Sequence, residues 1–206
     1  MKRREVLGRA ALALAGAALA GCATPRPAAV AGSPGAVVLP ALRLPPSALG
    51  PARHALSQRL SVYRLDRPDA KPQQVEVQLQ LDAEGLLLAG FAFSQRVLLM
   101  QWDGRSLQVQ RSPYLPAEVD TDRMLRDLCL VFWPAEAVRA ALPPGWTWTD
   151  TANGTATGTG RDPVWELRQA EVPRLSVRRP DARTVEIVNP SEGYRLVIES
   201  QPLEAP

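Results

Sequence analysis

The chain has 206 residues with 24 basic (Lys and Arg) and 21 acidic (Asp and Glu) side chains, a length that suits one domain with an appendage. The formal charge of +3 is confined to the first 21 residues, where Lys2, Arg3, Arg4 and Arg9 face only Glu5. The remainder is balanced, which leaves no charge excess to attract nucleic acid or anionic lipid.

After Lys2-Arg3-Arg4 comes an apolar run from Ala10 to Ala20, closing on Leu19-Ala20-Gly21-Cys22. A basic start, a short apolar stretch and small residues before a cut site make a secretory signal. Leucine, two small residues and a cysteine resemble the lipobox of bacterial lipoproteins. That resemblance implies cleavage after Gly21, a diacylglyceryl group on the Cys22 thiol and a membrane attachment through it. An ordinary signal peptide with a chance cysteine is the alternative. A spanning helix needs about 20 apolar residues, more than this run provides. Arg3-Arg4-Glu5-Val6-Leu7 matches a twin-arginine export signal only in part. The absence of aspartate after Cys22, where Ala23 stands, points to the outer membrane facing the periplasm. With Cys22 acylated, Cys129 has no partner for a disulfide. The fold must then rest on its core, which a chain of this size can supply.

Residues 22–52 are dominated by Ala, Pro and Gly and read as a tether of extended chain. Within it, Val37 to Leu44 is apolar enough to dock on the domain, which is expected to span 53–206. From His54 the pattern changes to period two. Leu56, Leu60 and Val62 share one face of a first strand. Val75, Val77, Leu79 and Leu81 alternate with Gln74, Glu76, Gln78 and Gln80, the pattern of a half-buried strand. Leu86 to Phe93 and Arg96 to Trp102 follow, then Asp103-Gly104 as a two-residue hairpin turn before Ser106 to Arg111.

A break at Ser112-Pro113-Tyr114-Leu115-Pro116 precedes Asp120, which offers an N-cap to a helix carrying Met124, Leu125, Leu128, Cys129, Val131 and Phe132. Trp133-Pro134 ends that helix, and Pro134 opens a second one reaching Leu142. Trp146 and Trp148 lie on one face of the next strand. Thr149 to Gly160 reads as a Gly/Thr-rich loop. Val164–Arg168, Arg174–Val177, Thr184–Val188 and Tyr194–Glu199 are short strands, with turns at Pro180-Asp181 and Asn189 to Gly193. The expected fold class is α+β and mostly β: a curved antiparallel sheet with about two helices packed on one face.

The chemistry of catalysis is thin. A Ser-His-Asp or Cys-His arrangement would need His54 as its base, and no G-x-S-x-G elbow is present. Cys129 sits on an apolar helix face, which favours a core thiol over a nucleophile. One His and one free Cys do not make a zinc site. Gly154, Gly158 and Gly160 lack the lysine and the strand-to-helix junction of a phosphate cradle. Asp120 and Asp122 are explained by helix capping and dipole, and Asp127 by a solvated helix face. No enzyme activity, cofactor or metal is expected, with a carboxylate-based hydrolase left as the remaining enzymatic reading. The aromatic residues Phe91, Phe93, Trp102, Phe132 and Trp133, together with Leu128, either fill a core between sheet and helices or line an apolar cavity there.

The whole arrangement resembles the LolA/LolB-type carriers of the bacterial envelope. A lipobox, a Pro-rich tether, a meander with a Trp-Asp-Gly hairpin, a helical insertion and a second set of strands carry the likeness. It also resembles a family of small outer-membrane lipoproteins encoded with aryl-polyene pigment-lipid enzymes beside a LolA-like partner. There the likeness rests on Leu44-Pro45-Pro46-Ser47, Ser57-Gln58-Arg59, Gly90 to Asp103 and Pro113 to Pro134. The resemblance implies an incomplete, LolB-like barrel, a lipid or amphiphile as ligand and a LolA-like periplasmic partner. It supplies no catalytic residues. One departure concerns the exposed leucine that LolB-type receptors present on a protruding loop, because Ser94-Gln95 is short and polar here. The alternative function is a non-catalytic structural or assembly lipoprotein that binds another envelope protein.

Overall fold

The computed structural model describes residues 37–116, 119–151 and 164–203. The lipobox, the distal tether and most of the Gly/Thr-rich loop lie outside the described residues. The first meander comprises β1 (His54–Arg64), β2 (Gln73–Leu81), β3 (Leu86–Ala92), β4 (Gln95–Trp102) and β5 (Leu107–Arg111). Two helices follow, α1 (Thr121–Phe132) and α2 (Ala135–Ala141). The second meander is β6 (Trp146–Asp150), β7 (Val164–Gln169), β8 (Val172–Arg178), β9 (Thr184–Asn189) and β10 (Tyr194–Pro202).

The strands form one 10-stranded sheet in the order β5-β4-β3-β2-β1-β10-β9-β8-β7-β6. Every neighbouring pair is antiparallel. The meanders join where the first strand meets the last, with Leu60 opposite Ile198. The two open edges, β5 and β6, are consecutive in the chain, and the helices are what connects them. This is the mostly-β, curved antiparallel sheet with two helices that the strand pattern predicts, and it is open at β5 and β6. No helix among the described residues is long and apolar enough to cross a membrane.

Period-two alternation decides which face is inside. Along β2, Val77, Leu79 and Leu81 are buried while Glu76, Gln78 and Gln80 are exposed. The inward side chains of the strands share one core cluster with Leu125, Leu128, Cys129 and Val131 of α1. α1 starts as its sequence dictates, with the Asp120 carboxylate accepting from the amides of Asp122 and Arg123, and so satisfies two of the four orphan donors of the first turn.

A third component of the core lies before β1. Residues 37–49 form a strap of extended chain ending in a short 3₁₀ turn, Pro46–Leu49. Leu39, Leu42, Leu44 and Leu49 are buried in the same cluster as the sheet and α1. The compact unit accordingly begins at Val37, and the near end of the segment read as tether belongs to the core. The reason is its leucines: proline keeps the chain from helix, yet four apolar side chains there find a greasy concave face to bury against.

Two local expectations need correction. The β4–β5 connection is four residues, 103–106, rather than a two-residue turn. Asp103 Oδ1 accepts from the amides of Arg105 and Ser106, and Trp102 pairs with Leu107. Asp127 is buried rather than solvated. Its carboxylate takes two guanidinium contacts from Arg126 and the hydroxyl proton of Tyr194, and Arg126 also reaches Glu192 at 2.7 Å. A charge so removed from water is tolerable only when matched in this way. The cluster pins α1 to the turn between β9 and β10.

Candidate functional site

The strap is seated by hydrogen bonds as well as by leucines. The Trp102 indole N–H donates to the Leu44 carbonyl at 2.8 Å. The Trp133 indole donates to the Pro45 carbonyl at 3.0 Å. The Cys129 thiol reaches the Leu42 carbonyl at 3.7 Å. Extended chain has no internal partners for its carbonyls, so these donors from β4 and α1 answer a need that leucine burial alone would leave open. Gly104, with φ +90°, brings the β4–β5 turn so close that a Cβ there would meet Pro46 Cδ at 3.1 Å.

Sheet, helices and strap together fill most of the cup. Among the described residues an apolar pocket of about 170 Å³ lies beneath the C-terminal end of α1. Leu130, Val131, Trp133 and Ala135 line it from the helices, Trp148 from β6, Trp165 from β7, and Val177 and Arg179 from β8 and its end. Trp148 and Trp165 stack with ring centroids 5.6 Å apart and planes inclined by 23°. The Arg139 guanidinium lies over the Trp165 ring at 5.4 Å while its Nε donates to the Trp148 carbonyl at 2.9 Å. The stacked pair is therefore held from outside by α2. A larger hollow of about 360 Å³ places Gln80, Asp82, Gln101 and Gln108 beside Leu86, Leu87 and Trp102, a more polar lining than that of the first pocket.

The aromatic residues singled out from sequence disperse. Trp133 lines the apolar pocket. Trp102 is buried under the strap and borders the polar hollow. Leu128 is packed in the core. Phe132 is half-buried with its ring 4.9 Å from that of His54. Phe91 is half-buried and outside the core cluster, and Phe93 is fully exposed. The last two therefore do not line a cavity. Phe91 has the outward parity of Leu87 and Ala89, and Phe93 belongs to a turn. Phe93 and Ser94 have φ of 50° and 60°, and Ala92 pairs with Gln95, so the tip of the β3–β4 hairpin is Phe93-Ser94 rather than the polar Ser94-Gln95. It presents an aromatic ring to solvent after all. Trp148, Trp165 and Arg179 were missed as pocket residues. Trp148 had a visible signal in its alternation with Trp146, but its meeting with Trp165 depends on the β6–β7 register.

The groups considered for chemistry serve structure. Burial pushes the Cys129 thiol up to about 12, which keeps it protonated and inert. Burial, and then the Arg179 charge, hold the His54 imidazole below its usual 6.5. Asp120 caps α1, and Asp122 pairs with Arg43 of the strap.

Among curated proteins none matches the chain. A distant likeness exists to the crystal structure of a LolA superfamily protein from Nitrosomonas europaea, at 11% identity and a TM-score of 0.37, covering 82% of this chain and 96% of that one. The family described as "Protein of unknown function (DUF3261)" matches residues 55–202, from the first strand through the last, and the chain belongs to that family.

Proposed function

We propose that this protein is an envelope lipoprotein, acylated at Cys22 and resident at the outer membrane, that binds and passes on a lipid or other amphiphile in the periplasm. The observation that carries the reading is the apolar pocket between α1 and the concave face of β6, β7 and β8, walled by Trp133, Trp148 and Trp165. The strap beside it is held by three side-chain donors, and its four leucines occupy space that an alkyl chain would fill in their place. Apolar burial at about 25 cal/mol per Å² supplies several kcal/mol for one long chain. Phe93 supports a contact role at the surface. A fully exposed aromatic in left-handed backbone is a local exception of the kind found at binding surfaces, suited to a membrane or to a LolA-like partner. An aryl-polyene lipid is the cargo that the resemblance among small outer-membrane lipoproteins suggests. No catalytic role belongs to this reading.

A specific observation favours a second reading. The cup is nearly full in the described structure, as suits a non-catalytic assembly lipoprotein that holds another envelope protein. Native mass spectrometry of the full chain purified from the envelope separates the two. A bound mass beyond the covalent anchor, released by solvent as a defined amphiphile, is expected for a carrier. A bare mass after incubation with the cell's own lipid extract would sink the carrier reading in favour of assembly.

A further inference from the structure

We propose that the tryptophan-walled pocket takes an anionic amphiphile, with the carboxylate or phosphate of the ligand on Arg179 and the adjoining apolar portion between Trp133, Trp148 and Trp165. This rests on the carrier reading and adds the charge and position of the cargo's polar end.

One cation at the pocket has no carboxylate partner among the described residues. Arg126, Arg168, Arg178 and Arg195 each meet a carboxylate: Asp127 and Glu192, Glu166, and Glu186 for the last two. Arg179 stands at the pocket rim with no carboxylate within ion-pair distance among the described residues. Its Nη2 donates to the Val131 carbonyl in the last turn of α1. A cation at a helix C-terminus is favourable in itself, and this contact explains why the side chain is held there. It occupies one of five guanidinium donors, which sit in a rigid fork suited to two-point contact with a carboxylate or phosphate. Apolar surroundings also draw the Arg179 pKa below its ordinary value. An anion at this point would offset the cost of that desolvation by charge and hydrogen bonding.

The apolar side of the site is equally specific. A cavity of 150 Å³ is large enough for a benzene ring, and this one measures about 170 Å³. Its walls are flat: Trp148 and Trp165 form one stacked surface, braced by Arg139. The second cation is thereby engaged with an indole face and with Glu136 at 3.5 Å, which leaves Arg179 as the rim charge available to a ligand.

The test is photoaffinity labelling of the full chain, purified from the envelope, with a diazirine-bearing dodecanoate and with the matching dodecanol. Dodecanoate is expected to label the peptides carrying Trp133, Trp148 or Trp165. Arg179→Gln should cut that labelling at least five-fold and leave dodecanol labelling unchanged, while Arg179→Lys should keep most of the dodecanoate signal. Acetate in excess should not compete. Equal dodecanoate labelling of wild type and Arg179→Gln would overturn the proposal, as would label mapped elsewhere or displaced by acetate. Loss of both labels together would make Arg179 a support of the pocket's shape and would also overturn it. If neither probe labels the wild type, the carrier reading itself fails.

Discussion

At the tip of the β3–β4 hairpin, Phe93 has no packing to lose and an unfavourable backbone to relieve. Left-handed φ costs an L-residue about 1–2 kcal/mol, and asparagine is a preferred residue at this turn position. Phe93→Asn should therefore raise stability by about 1 kcal/mol, read as an increase in the urea midpoint; a lower midpoint would show that the ring makes contacts its exposure denies. Glu186 carries a different kind of residue-level effect. Burial alone would raise its carboxyl, but the hydrogen bonds and charges of Arg178 and Arg195 prevail and hold it below 4.5. A depressed folded-state pKa stabilises fully above the unfolded value and is lost as pH falls through the folded one. Acidification from pH 7 toward pH 3 should destabilise the wild type more than Glu186→Gln, and parallel urea midpoints for the two across that range would refute the assignment. Neither residue was legible in the sequence. The turns at Phe93-Ser94 and at Ala170-Glu171 place non-glycine residues at positive φ without the Asn-Gly or Asp-Gly signature by which such turns are recognised. Glu186 acquires its partners only from the β8–β9 and β9–β10 pairings.

Among the elements, the strap departs furthest from its composition. Proline content announces extended chain, and extended chain before a domain reads as a tether. The apolar run from Val37 to Leu44 does signal docking; what it leaves out is the concave face that receives Leu39, Leu42, Leu44 and Leu49. Leu42 has 1% of its surface exposed. Leu42→Ala should lower the unfolding free energy by about 2–5 kcal/mol if the strap melts with the sheet. A loss below about 1 kcal/mol would mean that it detaches on its own well before the sheet unfolds. α1 was far more legible: its cap, its apolar positions and its stop at Trp133-Pro134 are all local signals. The buried pairing of Arg126 with Asp127 was not, because the partners that hold those charges, Glu192 and Tyr194, come from the far end of the chain. On a helix face considered alone, adjacent Arg and Asp look solvated.

For the molecule as a whole, the arrangement of strands followed directly from alternation, turns and the helical interval, since each neighbour in the sheet except β1–β10 is also a neighbour in sequence. The candidate site did not follow in the same way. Its walls come from α1, α2, β6, β7 and β8, and which indoles face one another is decided by register, about which composition is silent. Of the aromatic residues picked out by position, Trp133 lines the pocket, while the others belong to the strap seat, the core, the outer face and a hairpin tip.

The strap also sets how the molecule answers a pull. It stands in series between residue 36 and β1, so tension from the N-terminal side loads the carbonyls of Leu42, Leu44 and Pro45 before any β-ladder. Its donors lie 58 to 88 residues away along the chain, so peeling it leaves the strand pairings of the sheet intact. Stretching the chain by its N-terminus against a handle at Leu203 should give an early, low-force step of about 45 Å, the contour of the strap at roughly 3.5 Å per residue, ahead of the rupture of β1 from β2 and β10. A single rupture without that step would show that strap and sheet yield together. If the early step occurs, tension on the N-terminal side strips Leu39, Leu42, Leu44 and Leu49 from the concave face while the sheet stays folded, and the core of this molecule can be opened by force without being unfolded.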